Sequence, residues 1–220
     1  MQEKDLPRLR ARWRTIARVL KKLFPHATIA LHFSNDWELL VAVQLSAQCT
    51  DKKVNEVTPA LFKKYRSLND YVRAGKTAAG TRAFEKMIHQ TGFYRAKARN
   101  ILAAAKYVKE VHQGRLPRTM ADMVKVPGIG RKSANVILGN AYGVVEGIAV
   151  DTHVIRLSRV LGLTHEKTPE KIESDLMKII PRKDWFDATY RLIDYGRAYC
   201  PARPHAHEQC PLTKALAARA

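Results

Sequence analysis

The 220-residue sequence has only three cysteines, Cys49, Cys200 and Cys210, too few for a paired disulfide framework. It also lacks a long hydrophobic segment. Its longest uncharged runs have 13 residues, whereas a membrane helix needs roughly 20 apolar residues. The N-terminus does not show the basic, apolar and small-residue order of a secretory signal. We therefore expect a protein of the reducing cytoplasm, with no membrane partner.

Acidic residues are scarce, and this imbalance is the first positive indication of a partner. There are 20 Asp and Glu against 39 Lys and Arg, which gives a net charge of +19. The basic residues are spread along the chain, with eight in residues 1–25 and six in residues 93–115. Such an excess favours a polyanion, since neutralised phosphates release counterions. A merely soluble surface, a ribosome-associated protein or a membrane-surface protein would also be basic.

Alternating strand patterns, internal repeats and low-complexity linkers are absent, whereas helical spacing is present almost throughout. Trp13, Ile16, Leu20, Leu23 and Phe24 form one apolar stripe that ends before a proline. Similar patterns continue to about residue 199. The sequence therefore predicts an all-α protein of about ten helices.

The segment Val126-Pro-Gly-Ile-Gly-Arg-Lys-Ser133 is the strongest local motif. Gly128 and Gly130 allow a tight turn between two helices. The second helix begins at this turn, so its free N–H groups and positive dipole end would form an anion site. A phosphodiester is the expected guest, although the same residues could form a plain helix–helix turn.

Lys132 and Asp151 are candidate catalytic residues. Lys132 lies in the first turn of the second helix, where the dipole disfavours an ammonium and favours a nucleophilic amine. Asp151 belongs to the Val150-Asp-Thr-His153 block and lies at a predicted helix start. Taken singly, the lysine could be a solvated surface residue and the aspartate a simple N-cap.

Four segments resemble the endonuclease III family of helix-hairpin-helix DNA glycosylases, in the same order, within residues 10–200: Leu45–Asp51, Thr91–Lys97, Val126–Lys132 and Ala149–His153. The resemblance implies a two-domain all-α fold with a DNA cleft between the domains. It implies a six-helix domain over residues 29–144, which contains the hairpin. Residues 1–28 and 145–220 would form the second domain, which carries an iron–sulfur cluster in the family.

The resemblance also assigns roles residue by residue. Lys132 matches the Schiff-base nucleophile and Asp151 the catalytic carboxylate. Gln48 matches the glutamine that fills the gap left by a flipped base, and Phe93 stands where the family usually has a leucine wedge. The remaining predicted DNA-binding residues come from the hairpin and the Val-Asp-Thr-His block: Gly128, Ile129, Gly130, Arg131 and His153.

The implied activity is a bifunctional DNA glycosylase and AP lyase that removes oxidised pyrimidines and cleaves the strand by β-elimination. Its partner would be double-stranded DNA with damaged bases or abasic sites. We expect a cytoplasmic, nucleoid-associated monomer. A thymine or uracil mismatch glycosylase remains an alternative, as does a non-catalytic helix-hairpin-helix DNA-binding protein.

The C-terminal residues depart from the family pattern Cys-x6-Cys-x2-Cys-x5-Cys, which holds a [4Fe-4S] cluster. Counting from Cys200, the next places are His207, Cys210 and Leu216, so only two thiolates remain. Such clusters need four ligands, nearly always thiolates. Zinc is conceivable from two thiolates and two imidazoles, but the spacing fits no common structural-zinc pattern. We therefore expect no metal and no cofactor, and predict that the family cluster is absent.

Overall fold

The protein, analysed as a computed structural model that describes residues 3–218, has twelve α-helices, four short 3-10 helices and no strand within that range. None of the described helices is long and apolar enough to cross a membrane. The α-helices are α1 (Leu6–Leu23), α2 (Asp36–Leu45), α3 (Asp51–Lys64), α4 (Leu68–Gly75), α5 (Ala78–Ile88), α6 (Tyr94–Val111), α7 (Met120–Met123), α8 (Arg131–Tyr142), α9 (Thr152–Val160), α10 (Pro169–Ile179), α11 (Trp185–Ala198) and α12 (Pro211–Ala217).

The chain divides into two compact units. The middle unit is Ala30–Val144, and the terminal unit combines the residues up to Ile29 with those from Val145 onward. The middle unit contains α2 to α8, seven helices where the family resemblance implied six, and the four-residue α7 is the shortest of them.

The middle unit is organised around α2, which is buried on almost every side. Asn35 caps this helix by accepting a hydrogen bond from the N–H of Glu38 at 2.9 Å. Every residue from Leu39 to Leu45 is buried. An aromatic cluster completes this core, with ring centroids 5.2–5.7 Å apart: Trp37, Tyr65, Tyr71 and Phe84. The buried C-terminal part of α2 supports the loop that follows it.

The terminal unit has its own core, in which the N-terminal helix packs against helices from the last third of the chain. Trp13, Ile16 and Leu20 of α1 are at most 3% exposed. They belong to one buried cluster with apolar residues of α9, α10 and α11, among them Leu157, Leu176 and Leu192. The apolar stripe predicted in α1 is therefore a core-packing face.

The final helix, α12, was not predicted from the sequence. Pro211 stands at its first position and Leu212 is fully buried. The N–H of Leu212 donates a hydrogen bond to the hydroxyl of Tyr195 at 3.1 Å. A seven-residue helix shows too little periodicity to be recognised, so the C-terminal segment was expected to fold without one.

Candidate DNA-binding and catalytic site

The turn between α7 and α8 lies against two other helices of the middle unit. Gly128 has a φ of +79°, and a Cβ there would lie 2.8 Å from both Asn100 Cβ and Gln44 Oε1. The side-chain amide of Gln44 also donates a hydrogen bond to the carbonyl of Pro127 at 3.0 Å. Backbone conformation and lack of space both require glycine, so a side chain at position 128 would displace the turn.

The first turn of α8 presents backbone N–H groups that no side chain caps. Gly130 is the N-cap and has no side chain to accept a hydrogen bond, and Arg131 and Lys132 follow it in exposed positions. A helix start of this kind attracts an anion through its N–H groups and dipole. The start of α8 therefore has the features on which the predicted anion site depends, and the site itself stays a prediction.

Ile129 occupies a different environment from its exposed neighbours. Its side chain is only 5% exposed, and its N–H donates to the carbonyl of Val126 at 3.0 Å within the turn. This residue supports the turn from the inside. The side chain is buried and the N–H is hydrogen-bonded within the turn, whereas a residue that contacts DNA would present one of these groups at the surface.

Gln48 and Phe93 lie at two exposed turns that share an unusual backbone conformation. Their φ angles are +51° and +47°, in the left-handed region that non-glycine residues seldom adopt. Phe93 is 66% exposed, which excludes the core role that an aromatic residue commonly has. An exposed aromatic held in a strained turn is a feature of binding sites.

A pocket of about 260 Å³ joins these turns to the hairpin. It is lined by residues of α2, the two turns, α6 and the start of α8: Val43, Gln44, Ala47, Gln48, Phe93, Ala96, Lys97, Asn100, Gly128 and Ser133. Three of the predicted DNA-binding residues, Gln48, Phe93 and Gly128, therefore line one pocket. Ser133, which follows Lys132 in the chain, lines it too.

Lys97 connects the two turns from the interior of the middle unit. The sequence did not indicate this role. Its side chain is buried, and its ammonium donates hydrogen bonds to the carbonyls of Leu45 and Thr91, each at 2.7 Å. Burial lowers the pKa of Lys97, and the nearby Cys49 partly opposes that shift. Lys97 lies four residues before Ile101, on the same face of α6, and this spacing could have indicated that the lysine is buried.

Asp151 lies in the terminal unit, at the start of α9. Its Oδ1 accepts a hydrogen bond from the N–H of Val154 at 2.8 Å, so it is the N-cap that the sequence predicted. The segment before it is fixed to α11, because the hydroxyl of Thr189 donates to the carbonyl of Ala149 at 3.1 Å. The Asp151 carboxylate is therefore held in place by the N–H of Val154, and the segment before it by Thr189.

His153 follows in α9 and lies close to α11. A Cβ at Gly196 would lie 2.7 Å from its Nδ1, so only glycine allows this approach. The ring is half-buried. One edge of the predicted DNA-binding histidine is therefore turned towards the protein.

Four potential metal ligands lie between α11 and α12, also in the terminal unit. They are Cys200, His205, His207 and Cys210, and their ligand atoms lie within 4.8 Å of one another. Both cysteines are buried, at 1% and 4% exposure, whereas His205 is exposed. Three of these residues occupy the degenerate cluster positions of the sequence, and His205 is the second imidazole of the zinc set that was set aside there because of its spacing.

Comparison with known proteins identifies the family. The sequence profile of the HhH-GPD superfamily of base excision DNA repair proteins matches residues 41–182. Endonuclease III of a Synechocystis species is 47% identical over 195 residues, which cover 88% of this chain and 86% of that protein. The chain belongs to the endonuclease III family.

Two solved structures of endonuclease III with DNA agree with this membership. A non-covalent complex has a TM-score of 0.87 at 39% identity, covering 96% of this chain and 97% of that one. A trapped covalent intermediate in an estranged-adenine complex has a TM-score of 0.86 at 41% identity, covering 92% and 93%. The family resemblance and the all-α helix-hairpin-helix fold predicted from the sequence are confirmed.

The prediction that this endonuclease III homologue has no metal and no cofactor is wrong. The structure brings four ligating side chains together, and the chain belongs to a family whose pattern holds a cluster in this region. The error came from relying on the family positions and on the unusual spacing of the two cysteines and two histidines. Leu216, which cannot bind a metal, takes the fourth of those positions, whereas His205 lies outside them. Two thiolates and two imidazoles differ from the usual four thiolates, so donor geometry decides which metal they suit.

The two hydrogen bonds of Lys97 give a first testable prediction. Lys97→Met keeps the length of the side chain but leaves the carbonyls of Leu45 and Thr91 without this donor. We expect it to lower the free energy of unfolding by roughly 1–3 kcal/mol, the usual cost of leaving buried polar groups unpaired. Urea unfolding followed by circular dichroism measures this loss.

The matched control is Lys106→Met, since Lys106 lies exposed on the same helix. This change removes the same charge and should alter stability by less than about 0.5 kcal/mol. Equal losses in the two variants would mean that the Lys97 hydrogen bonds do not stabilise the turns.

Proposed function

We propose that this protein is a bifunctional DNA glycosylase and AP lyase of base excision repair, which removes oxidised pyrimidines and cleaves at abasic sites. The observation that carries the proposal is the position of Lys132, an exposed amine in the first turn of α8 directly after the glycine turn. The endonuclease III relatives support the enzyme class. Because one relative was trapped as a covalent intermediate with DNA, a nucleophilic side chain is the chemistry to assign.

The first step is base release. Lys132, as a free amine, uses the lone pair of Nζ to form a bond to C1′ of the flipped nucleotide. The bond between C1′ and the base breaks, and the base leaves with that electron pair. Asp151 stabilises the positive charge that develops on the sugar and accepts a proton from the amine. A carboxylate fixed at a helix start suits this role, since it need not reorganise during the reaction.

Strand cleavage follows from the covalent product. The sugar ring opens to a protonated imine between Nζ of Lys132 and C1′, which acidifies the proton on C2′. Removal of that proton sends the electron pair into a new C2′–C3′ double bond and expels the 3′ phosphate. Water then hydrolyses the imine and regenerates the amine. A glycosylase that used water in the first step would need no lysine, so Lys132 favours excision with strand cleavage.

Gln48 and Phe93 would open the duplex for this chemistry. A base that reacts must leave the stack, and the resulting gap costs stacking energy unless it is filled. We assign Gln48 to the gap and Phe93 to the wedge, because both are exposed at turns of one pocket beside the hairpin. The glycine turn and the uncapped start of α8 would hold a phosphate of the same strand.

The remaining assignments follow from this role. A mismatch glycosylase or a non-catalytic binding protein would need no nucleophilic lysine, so neither alternative explains Lys132 together with Asp151. We assign the middle unit to the hairpin domain and the terminal unit to the family's second domain. An enzyme of DNA repair acts where the DNA is, so we place this protein with the nucleoid in the cytoplasm, acting as a monomer.

Reduction with borohydride tests the proposed nucleophile. Incubating the protein with duplexes that contain thymine glycol or an abasic site, in the presence of borohydride, should give a covalent protein–DNA adduct. Lys132→Gln should abolish the adduct and leave lesion binding largely intact, while Lys125→Gln, a nearby exposed lysine, should keep it. Strand cleavage by the wild-type protein without a trappable adduct would contradict the mechanism.

Asp151→Asn separates catalysis from helix capping. Asparagine caps a helix about as well as aspartate, so the thermal midpoint should change little. Base release should slow strongly, because the amide carries no negative charge. Single-turnover kinetics and thermal unfolding measure the two effects. A loss of stability that parallels the loss of activity would favour a capping role alone.

Phe93→Ala tests the wedge. Stacking of a base on an aromatic side chain is worth roughly 1–3 kcal/mol, so turnover on duplex lesions should fall by roughly 5- to 150-fold. Single-stranded or already abasic substrates should be much less affected. Phe93→Leu, which keeps an apolar wedge, is the matched control. Equal losses on all substrates would show that Phe93 does not act by opening the stack.

A further inference from the structure

The four potential ligands between α11 and α12 carry an inference beyond DNA repair chemistry. The geometry points to a single tetrahedral metal ion of the zinc class, bound by the two thiolates and two imidazoles of the set. This set is Cys200, His205, His207 and Cys210, which follows the spacing Cys-x4-His-x-His-x2-Cys. His205 is therefore the fourth ligand, in place of Leu216 at the family position.

The separation of the ligand atoms suits one ion. Zinc bonds to cysteine sulfur at about 2.3 Å and to histidine nitrogen at about 2.0–2.1 Å, so the tetrahedral angle places S and N about 3.6 Å apart. The distance from Cys200 Sγ to His207 Nδ1 is 3.6 Å. The whole set lies within 4.8 Å. An iron–sulfur core would place these side chains on different iron atoms and hold them farther apart.

Hydrogen bonds to the two imidazoles leave the correct nitrogens for a metal. His205 Nδ1 lies 2.9 Å from the carbonyl oxygen of Arg203, which can only accept a hydrogen bond, so Nδ1 is the donor and Nε2 is the nitrogen left for a metal. His207 Nε2 lies 3.3 Å from the hydroxyl of Thr213, which leaves Nδ1 directed at Cys200. Ligating histidines usually donate their other N–H to such a partner.

The surroundings of the thiols also fit a structural metal site. Both sulfur atoms belong to buried residues that join the core of the terminal unit. Arg156 donates hydrogen bonds from Nη1 to Cys200 Sγ, at 3.4 Å, and from Nη2 to the Cys200 carbonyl. Groups that bind a metal are commonly held in place by hydrogen bonds of this kind. Leu216, by contrast, packs against the apolar core and needs no other role.

Metal analysis of the full-length protein, purified without chelators, tests the site. We expect about one zinc ion per chain, with the four ligands of a structural zinc site. Exchange with Co²⁺ should give the intense visible bands of a tetrahedral thiolate complex. X-ray absorption should show two sulfur and two nitrogen neighbours at about 2.3 and 2.0–2.1 Å.

Variants identify the ligands. His205→Ala changes an exposed side chain, so circular dichroism should show an intact fold while the tetrahedral Co²⁺ bands are lost. Cys210→Ser should lose them as well. His26→Ala, an exposed histidine of the same unit, and Cys49→Ser, a cysteine of the other unit, should keep them.

Three results would overturn the proposal. The first is a preparation with about four irons and acid-labile sulfide per chain, as for a [4Fe-4S] cluster. The second is the absence of both native metal and a one-to-one complex with added Zn²⁺ or Co²⁺. The third is an unchanged Co²⁺ spectrum in His205→Ala, which would remove that residue from the ligand set.

Discussion

The close approach of Gly128 to α2 and α6 is the constraint on which the candidate site depends. A Cβ at this position would lie 2.8 Å from Gln44 and from Asn100, so the backbone of the turn reaches a distance that no other residue permits. The hydrogen bond from Gln44 to the carbonyl of Pro127 holds the turn there. Because α8 begins three residues later, at Arg131, this contact also fixes where its N-terminus points and where Lys132 emerges.

A second constraint acts on the two exposed turns that carry Gln48 and Phe93. Left-handed backbone at a non-glycine residue costs of order 1–3 kcal/mol, so these turns need support from elsewhere. Lys97 supplies part of it through its two hydrogen bonds, since removing a buried donor costs about 1–3 kcal/mol. One buried ammonium thus connects the end of α2 to the turn before α6 and keeps both exposed side chains in the same pocket.

The features that the sequence predicted well are those encoded by local chemistry. The glycine turn, the N-cap at Asp151 and the apolar stripe of α1 depend on residues close together in the chain, and the structure shows all three. Features that depend on distant partners were missed. Lys97 hydrogen-bonds to the carbonyl of Leu45, which lies 52 positions away in sequence, so no local pattern indicates its role. The spacing of Cys200, His205, His207 and Cys210 likewise did not show that the four ligand atoms lie together in the fold.

The same distinction explains the residues whose surroundings differ from expectation. Ile129 and His153 lie within motifs that indicate DNA binding, yet one is buried under its turn and the other lies beside Gly196 of α11. A motif identifies the segment that meets a ligand, but it does not show which side chains face outwards. Packing against a second helix decides that, and the sequence contains no local signal for it.

The central claim is that Nζ of Lys132 forms the covalent bond to DNA. The most direct measurement is to digest the reduced wild-type adduct with protease and nuclease and to locate the remaining sugar fragment by tandem mass spectrometry. The account predicts that the fragment is attached to Nζ of Lys132 and to no other amine. Attachment to a different lysine, or to the N-terminal amine, would contradict it.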